Sequence, residues 1–283
     1  MDNLKIFNEL SRLCSKKVTQ LYSTSFSSAI SVLHADLHRP IYSIYGFVRL
    51  ADEIVDSFHG YNKKSLLDDF KRDTFGAIQS GVSINPVLHS FQWVVNTYHI
   101  DHHYIHAFFE SMYADLDKKV WKDQNELNAY IYGSAEVVGL MCLHIFCEGD
   151  QELIKKLTPS AQALGAAFQK VNFMRDLRED TYDLGRRYFH DIQMDQFDKD
   201  TKIKIEQQIT KDFEQAFDGL MQLPAKSRYG VLLAYRYYLC LFEKIKRLPP
   251  ENILNKRIRV PDYQKLLLLL RISLGSRLAT NLA

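Results

Sequence analysis

The sequence is poor in the residues that break helices, with 12 glycines and 7 prolines in 283 residues. Stretches of alternating apolar and polar residues, which are typical of half-buried β-strands, are also few. These shortages argue against a β-rich chain and favour helices throughout. No period of about 20–50 residues recurs, which excludes a helical solenoid.

Cysteine is scarce, and the four cysteines form neither a CxxC pair nor a disulfide framework. They are Cys14, Cys142, Cys147 and Cys240. Even the leucine run at 266–270 is too short to span a bilayer, and the first residues lack the apolar core of a signal peptide. We therefore expect a cytoplasmic protein in a reducing compartment, and contact with a membrane surface stays open.

The charges of the chain nearly balance, since 36 Lys and Arg residues face 34 Asp and Glu residues. A formal net charge of +2 gives no global field that would draw nucleic acid. The hydrophobic fraction of 46% allows a sizeable core, and nothing resembles a linker. We expect residues 1–283 to form one domain.

Helical periods predict a bundle of many helices around a central cavity. The predicted helices cover about 4–22, 40–58, 64–78, 86–98, 101–120, 126–146, 158–185, 200–220, 225–247 and 261–278. Pro40 and Pro159 are taken as helix starts because proline is tolerated in a first turn. The Ser/Thr cluster at 23–28 is interpreted as a loop, because these side chains compete for backbone hydrogen bonds.

Segment 164–188 carries a polar stripe on an apolar background. As a helix it places Gln169, Asn172, Asp176 and Asp180 within about 60° of one another. Carboxylates embedded in an apolar helix need a cation to neutralise them. This stripe is the first indication of a metal site.

Segment 40–58 repeats the pattern, with Tyr45, Arg49, Asp52 and Asp56 on one stripe. One such pair alone indicates a solvated charged face, since like charges four residues apart destabilise a helix slightly. Two pairs with arginines nearby favour Mg²⁺, which binds carboxylate oxygens and bridges them to substrate phosphates. Arginine would add bidentate phosphate contacts. No P-loop or GxGxxG turn is present, so a nucleotide cradle is not expected.

The sequences DEIVD (52–56) and QKVNFMRDLRED (169–180) resemble the two aspartate motifs of the squalene/phytoene synthase family. Further matching motifs are YSTSFS (22–27), YSIYGFVRLADEIVD (42–56), YIYGSAEVVGLM (130–141), GRRYF (185–189) and RIRVP (257–261). Their forms look most like those of bacterial phytoene synthases. The resemblance implies an all-α, single-domain helical bundle of the isoprenoid synthase type around a central cavity.

The resemblance also implies a reaction, the head-to-head condensation of two geranylgeranyl diphosphates to phytoene through prephytoene diphosphate in carotenoid biosynthesis. It implies Mg²⁺, with Mn²⁺ as an alternative ion, and no NADPH for phytoene formation. The expected partners are isoprenyl diphosphates, and the expected state is a monomer or weak dimer.

Two other functions are weighed against phytoene synthesis. The nearest is squalene or dehydrosqualene synthesis from two farnesyl diphosphates, where squalene formation requires NADPH. The remote one is a non-catalytic assembly protein with the same fold. Retention of both aspartate pairs argues against the latter.

Specific roles follow from the resemblance. It implies Mg²⁺ ligands at Asp52, Asp56, Asp176 and Asp180. The implied diphosphate contacts are Ser23, Ser25, Arg49, Gln169, Asn172, Arg175, Arg187 and Arg257. The implied residues for phosphate or cation contact are Tyr45, Tyr188 and Tyr238. The implied walls of the cavity for the hydrocarbon tail are Phe26, Val137, Leu140, Met141, Leu164 and Phe168. For the apolar set and the tyrosines, ordinary core packing explains the pattern equally well.

Two positions depart from the family pattern as we read it. Thr24 stands between the serines where some members have lysine, so one phosphate contact is expected to be missing. Glu136 stands where a glycine is usual, and it could narrow the cavity, add a polar contact or face away.

Histidines at 102, 103 and 106 offer a different metal site. His102, His106 and Glu110 share a helix face, as zinc ligands do. No HExxH motif or second ligand cluster accompanies them, so a solvated helix face is the preferred interpretation.

Overall fold

The computed structural model describes residues 3–188, 197–254, 258–261, 263–270 and 272. These residues form helices and connecting loops, with one isolated parallel bridge between Val120 and Arg187. The prediction of an all-α chain is confirmed.

Twelve named helices follow one another in the described part of the chain. They are α1 Asn3–Tyr22, α2 Thr24–Val32, α3 Ala35–Asp56, α4 Lys63–Ser80, α5 Pro86–Tyr98, α6 His102–Asp117, α7 Gln124–Ile131, α8 Val137–Phe146, α9 Gln151–Arg178, α10 Lys199–Leu220, α11 Ala225–Lys246 and α12 Pro250–Ile253. A further helical stretch covers 263–270. A π-helical turn, Tyr132–Glu136, joins α7 to α8, and a second one, Glu179–Asp183, extends α9.

Three predicted boundaries are wrong, and side-chain caps explain two of them. Ser23 caps α2 by accepting a hydrogen bond from the Phe26 N–H, so the predicted loop at 23–28 is mostly helix. Asp150 caps α9, which therefore starts before Pro159. Helix α3 likewise begins before Pro40. Both prolines lie inside helices because tertiary packing outweighs the lost backbone hydrogen bond.

Two apolar clusters form the core. The first surrounds Phe47 of α3, whose ring stacks on Phe91 of α5 at 3.9 Å and lies 5.3 Å from the ring of Phe108. The second joins α9, α10 and α11, and its most buried members include Ile209 and Phe242. The two clusters flank a cavity that draws its lining from both.

Segment Gln124–Phe146 is long and apolar enough to cross a membrane, with a mean hydropathy of 1.4. Half of its most apolar window is buried inside the bundle, and core helices of soluble proteins pass the same test. Here α7, the π-helical turn and α8 form a central wall of the bundle: Val137 and Met141 pack into the first cluster, and Leu140 and Leu143 pack into the second.

Candidate active site

An elongated cavity of about 350 Å³ lies among α2, α3, α8, α9, α10 and α11. Its polar end is lined by Arg49, Asp52, Gln169 and Asn172, and the rest of the lining is mostly apolar. Ile41 and Asp52 both line it from α3. At the rise of an α-helix they are separated by about 16 Å, so the cavity is longer than it is wide.

The first aspartate pair lies at the carboxyl end of α3. The side chains of Asp52 and Asp56 are 34% and 53% exposed. The pKa of Asp52 is raised to about 7, chiefly by its partial burial and next by the charge of Asp56, while Arg49 opposes this rise. Arg49 Nη1 lies 3.9 Å from Asp52, and Nη2 of the same side chain is paired with Glu53. Ionised Asp52 is therefore only partly neutralised in the protein itself.

The second pair lies at the end of α9. Asp176 is paired with the neighbouring Arg175, whose Nε lies 2.9 Å from Asp176 Oδ1. Asp180 belongs to the π-helical turn and is 9% exposed. The pKa of Asp180 is raised to about 7, chiefly by burial and next by the charge of Asp176.

The two pairs share one electrostatic site. Asp56 and Asp115 both raise the pKa of Asp180, although they belong to α3 and α6. Asp115 also raises the pKa of Asp52. Such coupling requires the carboxylates to lie near one another. The acidic stripes of segments 40–58 and 164–188 are therefore close to one another in the fold.

Two residues of this site were not among the sequence-predicted site residues. Arg186 Nη2 lies 3.8 Å from Asp115 Oδ1 and 4.0 Å from Asp56 Oδ1, and it donates to the Asp115 carbonyl oxygen at 3.2 Å. The Arg186 backbone N–H donates to the Asp180 carbonyl oxygen at 2.6 Å. The Asp115 carboxylate accepts a hydrogen bond of 2.8 Å from the Tyr130 hydroxyl. An aspartate on α6 and an arginine after α9 thus meet between the two acidic pairs.

Arg187 does not take the place expected for a diphosphate contact. Its side chain is exposed, and its backbone pairs with Lys119 and Trp121. Gly185, at φ +66, makes the turn that precedes it. In the extended segment after this turn, successive side chains point to opposite sides. Arg186 therefore faces the carboxylates, and Arg187 faces solvent.

Tyr188 lies in an aromatic cluster beside the cavity. Its ring is 3.9 Å from Phe173 and 4.7 Å from Trp121, and the residue is 4% exposed. Burial raises its pKa strongly. It does not line the cavity, and its hydroxyl is hydrogen-bonded to Arg186. The structure therefore places Tyr188 behind the acidic site, where it packs in the aromatic cluster and contacts Arg186.

The aromatic residues nearest the polar end do line the cavity. Tyr238 stacks on Phe168 at 3.8 Å, and Phe26 lies 5.7 Å from Tyr45 and 6.2 Å from Tyr238. Burial raises the pKa of Tyr45 to about 12, which keeps its hydroxyl neutral. Leu164 continues the same wall one turn below Phe168.

Three predicted wall residues are corrected. Val137, Leu140 and Met141 are buried in the core and do not line the cavity. Helix α8 instead contributes Val138, Gly139, Cys142, Leu143 and Phe146. The reason is the π-helical turn before α8, because its wider turn changes which side of the following helix faces inward.

The remaining predicted contacts fall in three places. Gln169 and Asn172 line the polar end. Ser23 caps α2 and is hydrogen-bonded to Tyr45, and Ser25 is half-buried in the first turn of α2 outside the cavity lining. Arg257 lies outside the described residues.

The donor set fits a hard divalent cation that keeps part of its water. No three His, Cys, Asp or Glu side chains in the described part of the chain lie close enough to hold a metal ion alone. The carboxylates come in pairs, which suits Mg²⁺ completing its shell with water and phosphate oxygens. Asn172 Oδ1 is buried without a hydrogen-bond partner, and Arg49 Nε likewise. A cation and a diphosphate would satisfy this acceptor and this donor.

The histidine face is explained by packing. His106 stacks on Phe75 at 4.4 Å, and Glu110 is paired with Lys71 at 3.1 Å. Glu136, the departure in the central motif, accepts a hydrogen bond from Gln162 at 3.1 Å and faces a separate polar cleft behind α9.

Comparisons with known proteins identify the family of this chain. The family model "Squalene/phytoene synthase" matches residues 19–200. Phytoene synthase 1, chloroplastic, from Solanum lycopersicum is 26% identical over 285 residues, which cover 94% of this chain and 68% of that protein. Phytoene synthase 2, chloroplastic, from the same plant is 26% identical, covering 94% and 91%.

Solved structures show the same fold. A dehydrosqualene synthase superposes with a TM-score of 0.80 at 22% identity, covering 96% of this chain and 98% of that one. The squalene synthase HpnC from Alicyclobacillus acidocaldarius gives 0.74 at 21% identity, covering 87% and 95%. The predicted isoprenoid synthase-type bundle is thereby confirmed. With both aspartate motifs inside the matched region, the chain belongs to the squalene/phytoene synthase family of prenyltransferases.

Proposed function

We propose that this protein joins two geranylgeranyl diphosphates head to head and forms phytoene through prephytoene diphosphate. The observation that carries the proposal is the electrostatic coupling of two aspartate pairs, one member of which, Asp52, lines the polar end of a long apolar cavity. Such a site binds the two halves of an isoprenyl diphosphate, the charged head and the hydrocarbon tail, in separate places.

The diphosphate end binds by charge. Arg49 has one guanidinium nitrogen unpaired and lines the cavity beside Asp52, so it can donate to a phosphate oxygen. Asp52, Asp56, Asp176 and Asp180 would hold Mg²⁺. When bound, Mg²⁺ stabilises the negative charge of the leaving diphosphate.

The tail end protects the reacting carbons. Phe168 and Tyr238 present stacked rings beside the polar end, and Phe26 and Tyr45 lie close to them. Ring faces stabilise an allylic cation electrostatically. The apolar lining excludes water, which would otherwise capture the cation.

The C20 substrate is favoured by the sequence relatives, which are phytoene synthases. The structural neighbours named above are a dehydrosqualene synthase and a squalene synthase, so the C15 substrate is the alternative to be tested. We keep the cytoplasm as the expected location and no NADPH requirement as part of the proposal.

The decisive experiment incubates the purified protein with Mg²⁺ and either the C15 or the C20 diphosphate, with and without NADPH. Product analysis by mass spectrometry should show a C40 hydrocarbon without reductant. A C30 product from farnesyl diphosphate, with no C40 product, would overturn the choice of substrate.

Aspartate variants test the site itself. Asp52→Asn and Asp176→Asn should abolish turnover while the circular dichroism spectrum stays unchanged. They should also lose the rise in melting temperature that Mg²⁺ with inorganic diphosphate gives the wild-type protein. Asp218→Asn, an exposed residue of α10, is the matched control. Full activity in both site variants refutes the proposal.

A further inference from the structure

The end of the cavity opposite the aspartates lies where several helix ends meet. The carboxyl end of α2, the carboxyl end of α8 and the amino end of α11 contribute Leu33, Phe146 and Gly230 to its lining, and Leu223 joins them after α10. Leu33 lies two residues before the start of α3, whereas Asp52 lies four residues before its end. At 22 residues, α3 spans about 30 Å. These residues therefore form the floor of the cavity.

Hydrogen bonds between helix ends hold this floor in place. The N–H of His34 donates to the Lys226 carbonyl oxygen at 2.9 Å and ties α2 to α11. The fully buried Ser227 hydroxyl is shared between the Pro224 carbonyl oxygen at 3.1 Å and the Phe146 carbonyl oxygen at 3.3 Å, and the second contact joins α11 to α8. Since the neighbours of Leu33 and Gly230 are held on both sides, the floor cannot recede without breaking these bonds.

Leu33 packs directly on the backbone of Gly230. A Cβ atom built on Gly230 would lie 2.3 Å from Leu33 Cδ2 and 2.8 Å from the Ala29 carbonyl oxygen. Only glycine leaves room for the leucine side chain in this position. Leu33 lines the cavity and is 7% exposed, so its side chain is buried between the cavity and Gly230.

The lining of α2 leads straight to this leucine. Phe26, Ala29, Ile30 and Leu33 all line the cavity, and their spacing of three, four and seven residues places them on one face of the helix. Phe26 is the member that contacts the aromatic residues near the polar end. A hydrocarbon chain that extends from the diphosphate end along this face meets Leu33 last.

We propose that Leu33, packed on Gly230, sets the longest isoprenyl chain that the cavity accepts. This inference rests on the proposed function, because it takes the cavity as the binding place of the tail. Truncating Leu33 opens space at the floor, whereas any side chain at position 230 pushes Leu33 toward the substrate. The two substitutions therefore change chain-length preference in opposite directions.

The test is a competition assay with Mg²⁺ and equal amounts of the C15, C20 and C25 diphosphates, with products separated by mass. Leu33→Ala should raise the ratio of C25 to C20 incorporation about tenfold. This is the size of discrimination that one or two methylene groups give in an apolar pocket. Leu33→Val should raise it less. Gly230→Ala should instead raise the ratio of C15 to C20 incorporation.

Leu88→Ala is the matched control, because Leu88 is a buried leucine of α5 that does not line the cavity. It should lower thermal stability as Leu33→Ala does and leave the incorporation ratios unchanged. If Leu33→Ala does not fold, Leu33→Val and Gly230→Ala still give opposite shifts. Wild-type ratios in the Leu33 variants that fold would overturn the inference. Absence of any head-to-head product from the wild-type protein would overturn the proposed function instead.

Discussion

The carboxylate of Asp115 on α6 lies 3.8 Å from the guanidinium of Arg186, which follows the second acidic helix. The side chain of Asp115 is 8% exposed and that of Arg186 is 14% exposed. Burial raises the pKa of Asp115 to about 6, and the charge of Arg186 opposes that rise. This ion pair connects α6 to the segment after α9 and holds one positive charge beside Asp56.

Substitution of Arg186 and of its neighbour Arg187 should affect turnover very differently. Arg186→Gln removes the guanidinium that lies among Asp56, Asp115 and the end of α9, so we expect turnover to fall about a hundredfold through misplacement of the acidic groups. Arg187→Gln changes an exposed side chain and should cause a small loss. Steady-state kinetics of the two variants side by side give the comparison, and equal losses would contradict this assignment.

Asp115 should act by holding Arg186. Asp115→Asn leaves the Arg186 guanidinium without its buried counter-charge, and we expect turnover to fall at least about tenfold. The variant should show a weaker affinity for inorganic diphosphate with Mg²⁺, measured by calorimetry. Asp117→Asn, exposed at the end of the same helix, is the control. Wild-type kinetics in Asp115→Asn would show that the pair has no part in the site.

The ligand-free protein should lose stability as the pH rises. In the folded protein the pKa of Asp180 is about 7, against 3.8 for an ordinary aspartate. A carboxyl whose folded pKa is raised stabilises the fold below its unfolded pKa, and this contribution is lost as the pH rises toward the folded pKa. We expect the melting temperature to fall between pH 5 and pH 7 for this reason.

Asp180→Asn isolates that contribution, because its side chain does not ionise. The variant should melt at least about 2 °C above the wild-type protein at pH 8. At pH 5 the difference should shrink. If Asp180→Asn melts at the wild-type temperature at both pH values, ionisation of Asp180 does not destabilise the folded protein.

Tyr188 should matter for stability more than for chemistry. Tyr188→Phe keeps the ring stacked on Phe173 and should retain most activity. Tyr188→Ala removes a buried ring from the cluster with Trp121 and should cost about 3–5 kcal/mol of unfolding free energy. Urea denaturation measures the cost. A large loss of turnover in Tyr188→Phe with unchanged stability would contradict this prediction and show that the Tyr188 hydroxyl takes part in the reaction.

The spacing of the aspartates was readable from the sequence because a regular helix places residues four apart on one face. Asp52 and Asp56 follow that rule within α3. The start of α9 was predicted less well. Proline favours the first turn of a helix, but the helix begins eight residues before Pro159, because Asp150 caps it and tertiary packing extends it toward the amino end. Helical periodicity therefore gives the acidic stripes well and the helix ends less well.

The choice between Arg186 and Arg187 could not be made from spacing. It depends on a positive-φ turn at Gly185 and an extended segment after it, both of which lie beyond the helix. Asp115 could not be assigned to the site from spacing either, because its partner Arg186 is 71 residues away in the chain. Long-range pairs of this kind leave no periodic signal.

The π-helical turn Glu179–Asp183 carries Asp180 and holds one residue more than an α-helical turn of the same span. Deleting a single codon within it would restore a regular helix and rotate the following chain by about 100°. Nearly every side chain needed for the site would still be encoded, yet Arg186 would no longer meet Asp115. The length of this short turn, as much as the identity of its residues, is therefore needed to keep Arg186 beside Asp115.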